Sequence, residues 1–190
     1  MKAVVQRVIG ATVTVNGALK GGIASGLLVY LGVARDDTAK DADWLVEKIP
    51  NLRIFDDKEG KMNLSLINYI VNQQKEAVNK EVVNHEKEVV NIKNKITTED
   101  TEFDIDNSVK LRGGVLVVSQ FTLLGDARKG RRPTWDKAAP PEQARELYRY
   151  FIEKMGEKVP CESGEFQAHM MVSYTNDGPV TILLDSGERF

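Results

Sequence analysis

The sequence predicts an α+β domain dominated by strands: a mostly antiparallel sheet, barrel-like or sandwich in form, with a few packing helices and one inserted segment. Three observations predict it. Short β-branched, partly alternating runs recur from the first residues to the last, broken by glycine and asparagine turns. Only two stretches outside residues 67–109 carry clear helical apolar spacing. A chain of 190 residues with 42% hydrophobic content suits a single soluble core spanning 1–190.

Residues 2–9 and 11–15 read as strands, with Asn16-Gly17 as a turn, and residues 27–34 as a buried strand. A short helix follows. Asp37 or Thr38 caps it, Ala42, Leu45, Val46 and Ile49 fall on one face, and Pro50 is expected to stop it. The strand Val115 to Val118 ends in Ser119-Gln120-Phe121-Thr122-Leu123, an edge that offers a hydroxyl, an amide, an aromatic ring and a second hydroxyl.

The second clear helix is 141–155, with Pro140 and Pro141 at its start and Gly156 beyond its end; Ala144, Leu147, Tyr148, Phe151 and Met155 form its apolar stripe. Residues 166–174 and 180–185 read as a hairpin around Asn176-Asp177-Gly178-Pro179-Val180-Thr181. Phe166, Ala168, Met170, Val172 and Tyr174 line one face of its first strand. Alternation puts His169 on the other, as a structural rather than a catalytic residue.

Residues at about 67–109 read as an insertion. They contain a seven-residue echo, Lys80 to Glu86 followed by Lys87 to Lys93, and Val78, Val82, His85, Val89, Ile92 and Ile96 fall at alternating spacings of four and three. That is the seam of a short coiled coil, with a strand-rich excursion as the competing reading, because the Val-Val pairs favour strands. Asp100 to Asp106 has calcium-loop spacing but lacks the glycine such a loop needs at its sixth position, and reads as a solvated acidic link.

Composition excludes several classes. Cys161 is the sole cysteine, so no internal disulfide forms, which fits a reducing compartment; neither histidine stands where a cysteine hydrolase would need it. His85 and His169 are too few and too separated for a zinc site, and no metal or cofactor is expected. The longest apolar runs, such as 26–34, are too short to cross a bilayer, and the first residues lack a signal-peptide pattern, so the expected location is cytoplasmic.

Charge points to the partner. The chain is acidic overall, at −2, yet Arg128, Lys129, Arg131 and Arg132 place four positive charges within five residues. Such a cluster suits phosphates; a solvated loop is the competing reading.

Together these segments resemble one family. Met1-Lys2-Ala3-Val4-Val5-Gln6-Arg7-Val8, Arg53-Ile54-Phe55, Gly60 to Ser65, the Ser-Gln-Phe-Thr-Leu edge, Arg128 to Pro133, Ala138-Ala139-Pro140-Pro141 and the stretch from Gly164 to Asp185 match, in order, the D-aminoacyl-tRNA deacylases. The resemblance implies a hydrolase of the ester of D-aminoacyl-tRNA, and of glycyl-tRNA mischarged on tRNA(Ala), acting in translational proofreading. It implies tRNA as partner, through the aminoacylated 3′ end, with no DNA and no membrane. It implies a homodimer in which the Gly178-Pro179 loop of each subunit enters the other's site. Two departures stand out: the insertion, and Gln167, which occupies a position where the family usually has glycine.

The site residues follow. Ser119, Gln120, Phe121 and Thr122 are the candidate catalytic segment. No Ser-His-Asp triad or G-x-S-x-G elbow surrounds Ser119, and no base for Thr122 is evident, so backbone donors at the strand edge are expected to hold the oxyanion while Gln120 and the hydroxyls orient water or substrate. The family's substrate 2′-hydroxyl is expected to assist. Gly178-Pro179, joined by a cis bond as in the family, is the expected chiral gate, rejecting L-aminoacyl groups with backbone. Arg7 is its expected support, Met62 and Asn63 join Phe121 in the expected adenosine pocket, and Arg128, Lys129, Arg131 and Arg132 are the tRNA contacts. Rival readings are a tRNA-binding module without catalysis and an editing deacylase for another mischarged tRNA.

Overall fold

The computed structural model describes residues 1–76 and 111–188. The coiled-coil seam, the seven-residue echo, His85 and the acidic link Asp100 to Asp106 lie outside those residues.

The strand-dominated α+β architecture is as the sequence predicts. Strand β1 (Lys2–Val15) is the hub. It pairs antiparallel with β2 (Ala18–Ile23), with β3 (Gly26–Gly32) and, on its other side, with β8 (Met171–Asp185). Strand β6 (Gly114–Ser119) then joins β3 in parallel, and β7 (Cys161–Ser163) joins β6 in parallel. The order is β2-β1-β3-β6-β7, with β8 on β1. A separate two-stranded sheet comprises β4 (Phe55–Asp56) and β5 (Met62–Leu64). The ends of the main sheet meet without a ladder: a Cβ on Gly21 of β2 would lie 2.6 Å from the Ser163 carbonyl oxygen of β7. Glycine at that seam lets a nearly closed barrel form.

Residues 2–9 and 11–15 are one strand, not two. The register slips between Val8 and Ala11, and Gly10 has φ of 153°. Before the slip Ala3 and Val5 enter one core; after it Ala11 and Val13 enter the other, so a bulge exchanges the faces and blurs the alternation in the sequence. Asn16 and Gly17, at φ 52° and 79°, form the predicted turn.

Two apolar cores explain the continuous hydrophobic strands. Leu27, Val29, Val115 and Val117 pack into the larger one, beneath the helices; Leu28, Leu116 and Val118 fill the smaller. Burial on both faces is what makes β3 and β6 read as unbroken apolar runs.

Helix α1 (Ala39–Asn51) buries the predicted face. Thr38, rather than Asp37, is its cap: the Thr38 amide and hydroxyl donate to Asp41 Oδ2 at 2.8 and 2.9 Å. Pro50 does not stop the helix but lies buried inside its last turn. Asn51 extends it by one residue before Leu52 turns away. Helix α2 covers 66–76 among the described residues; its first turn packs Leu66, Ile67 and Ile70 on the larger core, and Tyr69 stacks on Phe55 at 4.5 Å. Helix α3 (Pro141–Gly156) buries Tyr148, Phe151 and Met155.

The predicted C-terminal hairpin is absent. Residues 166–168 form a turn, and β8 is one strand whose two halves both pair with β1. Between the pairs Val8↔Asn176 and Gln6↔Thr181, β1 advances two residues while β8 advances five. The Asn-Asp-Gly-Pro segment is therefore a protrusion from a single strand. The turn residues were legible, but pairing of both flanks with one partner is a long-range fact that local chemistry does not encode.

Candidate functional site

Strand β6 ends at Ser119, one residue past the predicted Val115–Val118 run, and the predicted edge beyond it is not extended. Phe121–Leu124 form one 3-10 turn, η1. The Gln120 amide still pairs across to the Leu31 carbonyl at 2.8 Å, but the Leu123 and Gly125 amides turn back onto Gln120 and Thr122. The amides of Phe121 and Thr122, first in the turn, donate to no carbonyl among the described residues. The Gln120 side-chain amide donates to the Thr122 hydroxyl. Neither Ser119 nor Thr122 bonds a histidine or a carboxylate among the described residues.

Beside this turn lies a cavity of about 550 Å³, lined by Ser119, Gln120 and Phe121 from one side, Tyr148 and the start of α3 from another, and residues 166–170 from a third. Its volume suits a small organic ligand. Tyr148 fixes the floor: its hydroxyl donates to the Val117 carbonyl at 2.9 Å, and burial pushes its ionisation above the usual tyrosine range. The four-residue turn 165–168 closes with the Ala168 amide on the Glu165 carbonyl, and its third residue, Gln167, has φ of 66°. That position favours glycine, and an L side chain costs about 1–2 kcal/mol there. Arg145 of α3 covers the Phe166 ring at 4.8 Å and donates to Gln167 Oε1 at 2.5 Å. His169 lines the same cavity and is exposed.

The Asn176–Pro179 protrusion is held from within. Arg7 is 6% exposed rather than an open strand arginine. Its Nη1 donates to the Ile54 carbonyl at 2.7 Å and lies 3.5 Å from Asp56, while Nε lies 2.8 Å from Asp177 Oδ2. The Val180 amide donates to Asn176 Oδ1 at 3.2 Å, closing the loop. The Gly178–Pro179 bond is cis. Gly178 has φ of 113°, and an added Cβ would sit 2.8 Å from Val180 Cγ2 and 3.2 Å from Arg7 Nη2. Gly178 and Pro179 do not line the Ser119–Phe121 cavity of their own chain, and neither do Met62 and Asn63. Met62 is 60% exposed on β5. Asn63 accepts from Arg53 through its backbone carbonyl at 2.8 Å and donates to Asp57 Oδ2 at 2.9 Å.

The basic cluster crowns an exposed loop closed by reciprocal backbone bonds between Asp126 and Thr134, at 2.8 and 3.0 Å. Arg128 is already paired: its Nε lies 2.9 and 3.0 Å from the two Asp126 oxygens. The hydrogen bonds from Arg128 hold the Asp126 carboxyl well below the usual range. Lys129, Arg131 and Arg132 have no ion pair among the described residues. Trp135, which sequence reading passed over, joins this loop to the site by packing edge-to-face on Phe121 at 5.7 Å.

Burial pushes the Cys161 thiol up to about 12, away from the thiolate a nucleophile needs, and Cys161 does not line the cavity. Among the described residues no three His, Cys, Asp or Glu side chains cluster as metal ligands. Nor is any helix there long and apolar enough to cross a membrane.

The family profile for D-Tyr-tRNA(Tyr) deacylase matches residues 4–77 and 67–185, which together take in most of the chain and all of the site just described. The chain belongs to the D-Tyr-tRNA(Tyr) deacylase family. It is 48% identical over 190 residues, the whole of both chains, to a protein of Kosmotoga olearia named D-aminoacyl-tRNA deacylase, and 45% identical over 192 residues to one of Thermosipho melanesiensis of the same name, again over both whole chains. Among solved structures, "c-Myc DNA Unwinding Element Binding Protein" superposes with a TM-score of 0.71 at 34% identity, covering 97% of this chain and 98% of that one. A probable eukaryotic D-amino acid tRNA deacylase shares the fold, with a TM-score of 0.62 at 16% identity over 96% and 97% of the chains.

Proposed function

We propose that the protein hydrolyses the ester of D-aminoacyl-tRNA, releasing free D-amino acid and tRNA. Identity over the entire length to relatives named for that reaction carries this reading. The site chemistry supports it. The Phe121 and Thr122 amides, unengaged among the described residues, lie beside the cavity to take up the oxyanion that forms when water attacks the ester, a contribution of about 10²–10³ in rate per donor. Gln120 orients the Thr122 hydroxyl, and the substrate's 2′-hydroxyl assists the attacking water. Thr122 is not the nucleophile. Thr122→Ala should lower deacylation by less than about a hundredfold; complete loss with the fold intact restores the nucleophile.

Selection is by exclusion. The Gly178-Pro179 backbone of a partner subunit completes the site and leaves no room for the side chain of an L-aminoacyl group, so glycyl-tRNA(Ala), with no side chain to reject, is also hydrolysed. The homodimer is supported by the separation of gate and cavity within one chain and by the exposed Met171, Tyr174 and Leu183 of β8. Lys129, Arg131 and Arg132 meet the acceptor-end phosphates. Proofreading in the cytoplasm, without a cofactor, follows from this reading, and so does residues 67–109 as an insertion in a single 1–190 domain.

The test is amino-acid release from matched D-tyrosyl-tRNA and L-tyrosyl-tRNA without added metal. Rapid loss of the D-ester alone is the expected result. Loss of neither, with tRNA still bound, would overturn catalysis in favour of a binding module or an editor of another substrate.

A further inference from the structure

Two aromatic rings stand in solvent beside the cavity. Phe121 and Trp135 are 59% and 39% exposed, belong to neither apolar core, and pack edge-to-face on each other. Phe121 is part of the cavity wall, whereas Trp135 lies outside it. The indole is nonetheless fixed. Its Nε1 edge sits over Gly125, where an added Cβ would lie 3.4 Å from Nε1, and the residue follows directly on the backbone pair that closes the 126–134 loop. Apolar surface held in water adds little to stability, since burial is what stabilises a ring. An aromatic face that is kept open and held in place suits a flat partner that stacks on it.

The charge around the pair points to the partner. Lys129, Arg131 and Arg132 precede Trp135 and Lys137 follows it; all four are exposed and form no salt bridge among the described residues. Arg35 joins them from another segment, because its amide donates to the Lys137 carbonyl at 3.0 Å. It too is exposed and without a salt bridge among the described residues. Arg128 stays out of the row, being bound to Asp126. Next along the chain, Ala138 and Ala139 line the cavity, so the path from loop tip to cavity runs through cations, an indole and cations again. That is the pattern an unpaired nucleic-acid strand needs, with phosphates on the charges and a base on the ring.

We propose that Trp135 is a stacking platform for the unpaired base immediately before the 3′-terminal nucleotide of the substrate. The inference rests on the deacylase reading for its ligand and goes beyond it in assigning a contact outside the cavity. With the ester at Ser119–Thr122, the terminal nucleoside and the amino acid take the cavity, and the preceding nucleotide is the first that must pass Phe121. The indole presents its face to that base, and Lys137, two residues on, offers charge to its phosphate.

The experiment is an equilibrium titration of the intact protein with a hairpin RNA that carries a short unpaired 3′ overhang, and with two versions of it, abasic at the last or at the next-to-last position. It is run on the wild type, on Trp135→Leu and on Trp135→Phe, with wild-type deacylation of D-tyrosyl-tRNA measured in parallel. Leucine keeps an apolar contact for Phe121 but has no face; phenylalanine restores one. Because Trp135 lies in neither core, both variants should melt with the wild type. The wild type and Trp135→Phe should bind the RNA abasic at the next-to-last position at least about fivefold more weakly than the intact one. Trp135→Leu should bind those two equally and still discriminate against the RNA abasic at the last position. A Trp135→Leu protein that keeps the first preference overturns the inference. So does one that loses both, because the indole then acts only through Phe121 and the cavity. Loss of the first preference in Trp135→Phe overturns stacking. A wild type that hydrolyses the D-ester but binds the three RNAs alike, or none of them, overturns the inference with the deacylase reading intact; a wild type that binds no RNA and spares the ester overturns both.

Discussion

Strands β6 and β8 each end in, or carry, a segment assigned to the chemistry, but they are held in opposite ways. Val115, Leu116, Val117 and Val118 of β6 are all at most 1% exposed and alternate between two cores, so the Ser119–Gln120 edge is located by packing on both faces. No residue of β8 is buried. Among the described residues it has one partner strand, and beyond its own internal bonds the Asn176–Pro179 protrusion is anchored by one buried side chain, Arg7. Where packing fixes a segment, stability and position are lost together; where one side chain fixes it, position can be lost while most of the fold survives.

The largest effect expected from this difference is at the packed strand. Leu116→Ala removes a fully buried side chain and should cost about 2–5 kcal/mol in urea unfolding. The protein that remains folded should keep its preference for D- over L-tyrosyl-tRNA. Arg7→Ala is the counterpart. It removes a charged donor from the Ile54 carbonyl and leaves that oxygen without its partner, for about 2–3 kcal/mol. Its larger consequence should be functional: chiral preference should fall by at least about tenfold, with RNA affinity unchanged. Lysine should not rescue, because one ammonium cannot reach Ile54, Asp56 and Asp177 as the guanidinium fork does. An Arg7→Ala protein with wild-type preference would show that the protrusion is held by something else, and the contrast between the strands would collapse.

A third substitution separates folding from association. Leu183 is 74% exposed, so Leu183→Asp should move stability by no more than about 0.5 kcal/mol. If β8 faces a second copy, the same change should shift the sedimenting species from dimer to monomer and lower deacylation with it. A variant that stays dimeric and active would remove β8 from the interface.

Legibility in the sequence follows the same division. The packed elements were readable because burial leaves a periodic imprint: α1 from Ala42, Leu45, Val46 and Ile49, and β3 and β6 as apolar runs. Strand β2 was not, since Gly21 serves a close approach to β7, and Gly22 one to β1, that no local pattern records. The hairpin at 166–185 failed because the alternation from Phe166 to Met170 is shared by a turn that lines the cavity. Arg7 stood out only by resemblance, because its burial depends on Ile54 and Asp177, 47 and 170 positions away. Trp135 and Arg145 were passed over for the same reason: each reaches the cavity wall through a partner on another element, Phe121 and Phe166.

The smallest effect on function concerns how α1 is tied to the end of β8. Burial would raise the Asp41 carboxyl, but the hydrogen bonds from the Thr38 amide and hydroxyl and from Ser186, with the N-terminal charge, outweigh it and lower the group from 3.8 to about 2. A carboxyl depressed in the folded state contributes stability above its unfolded value and loses it as pH falls through the folded one. Asp41→Ala should therefore cost about 1 kcal/mol at neutral pH, the scale of a capping box and its helix dipole. The difference from wild type should shrink between about pH 4 and pH 2 and vanish below. Because Ser186 follows directly on β8, the same variant should raise amide exchange at 183–186 more than at 115–118; equal exchange at both would mean that β8 is held as firmly as the packed strand.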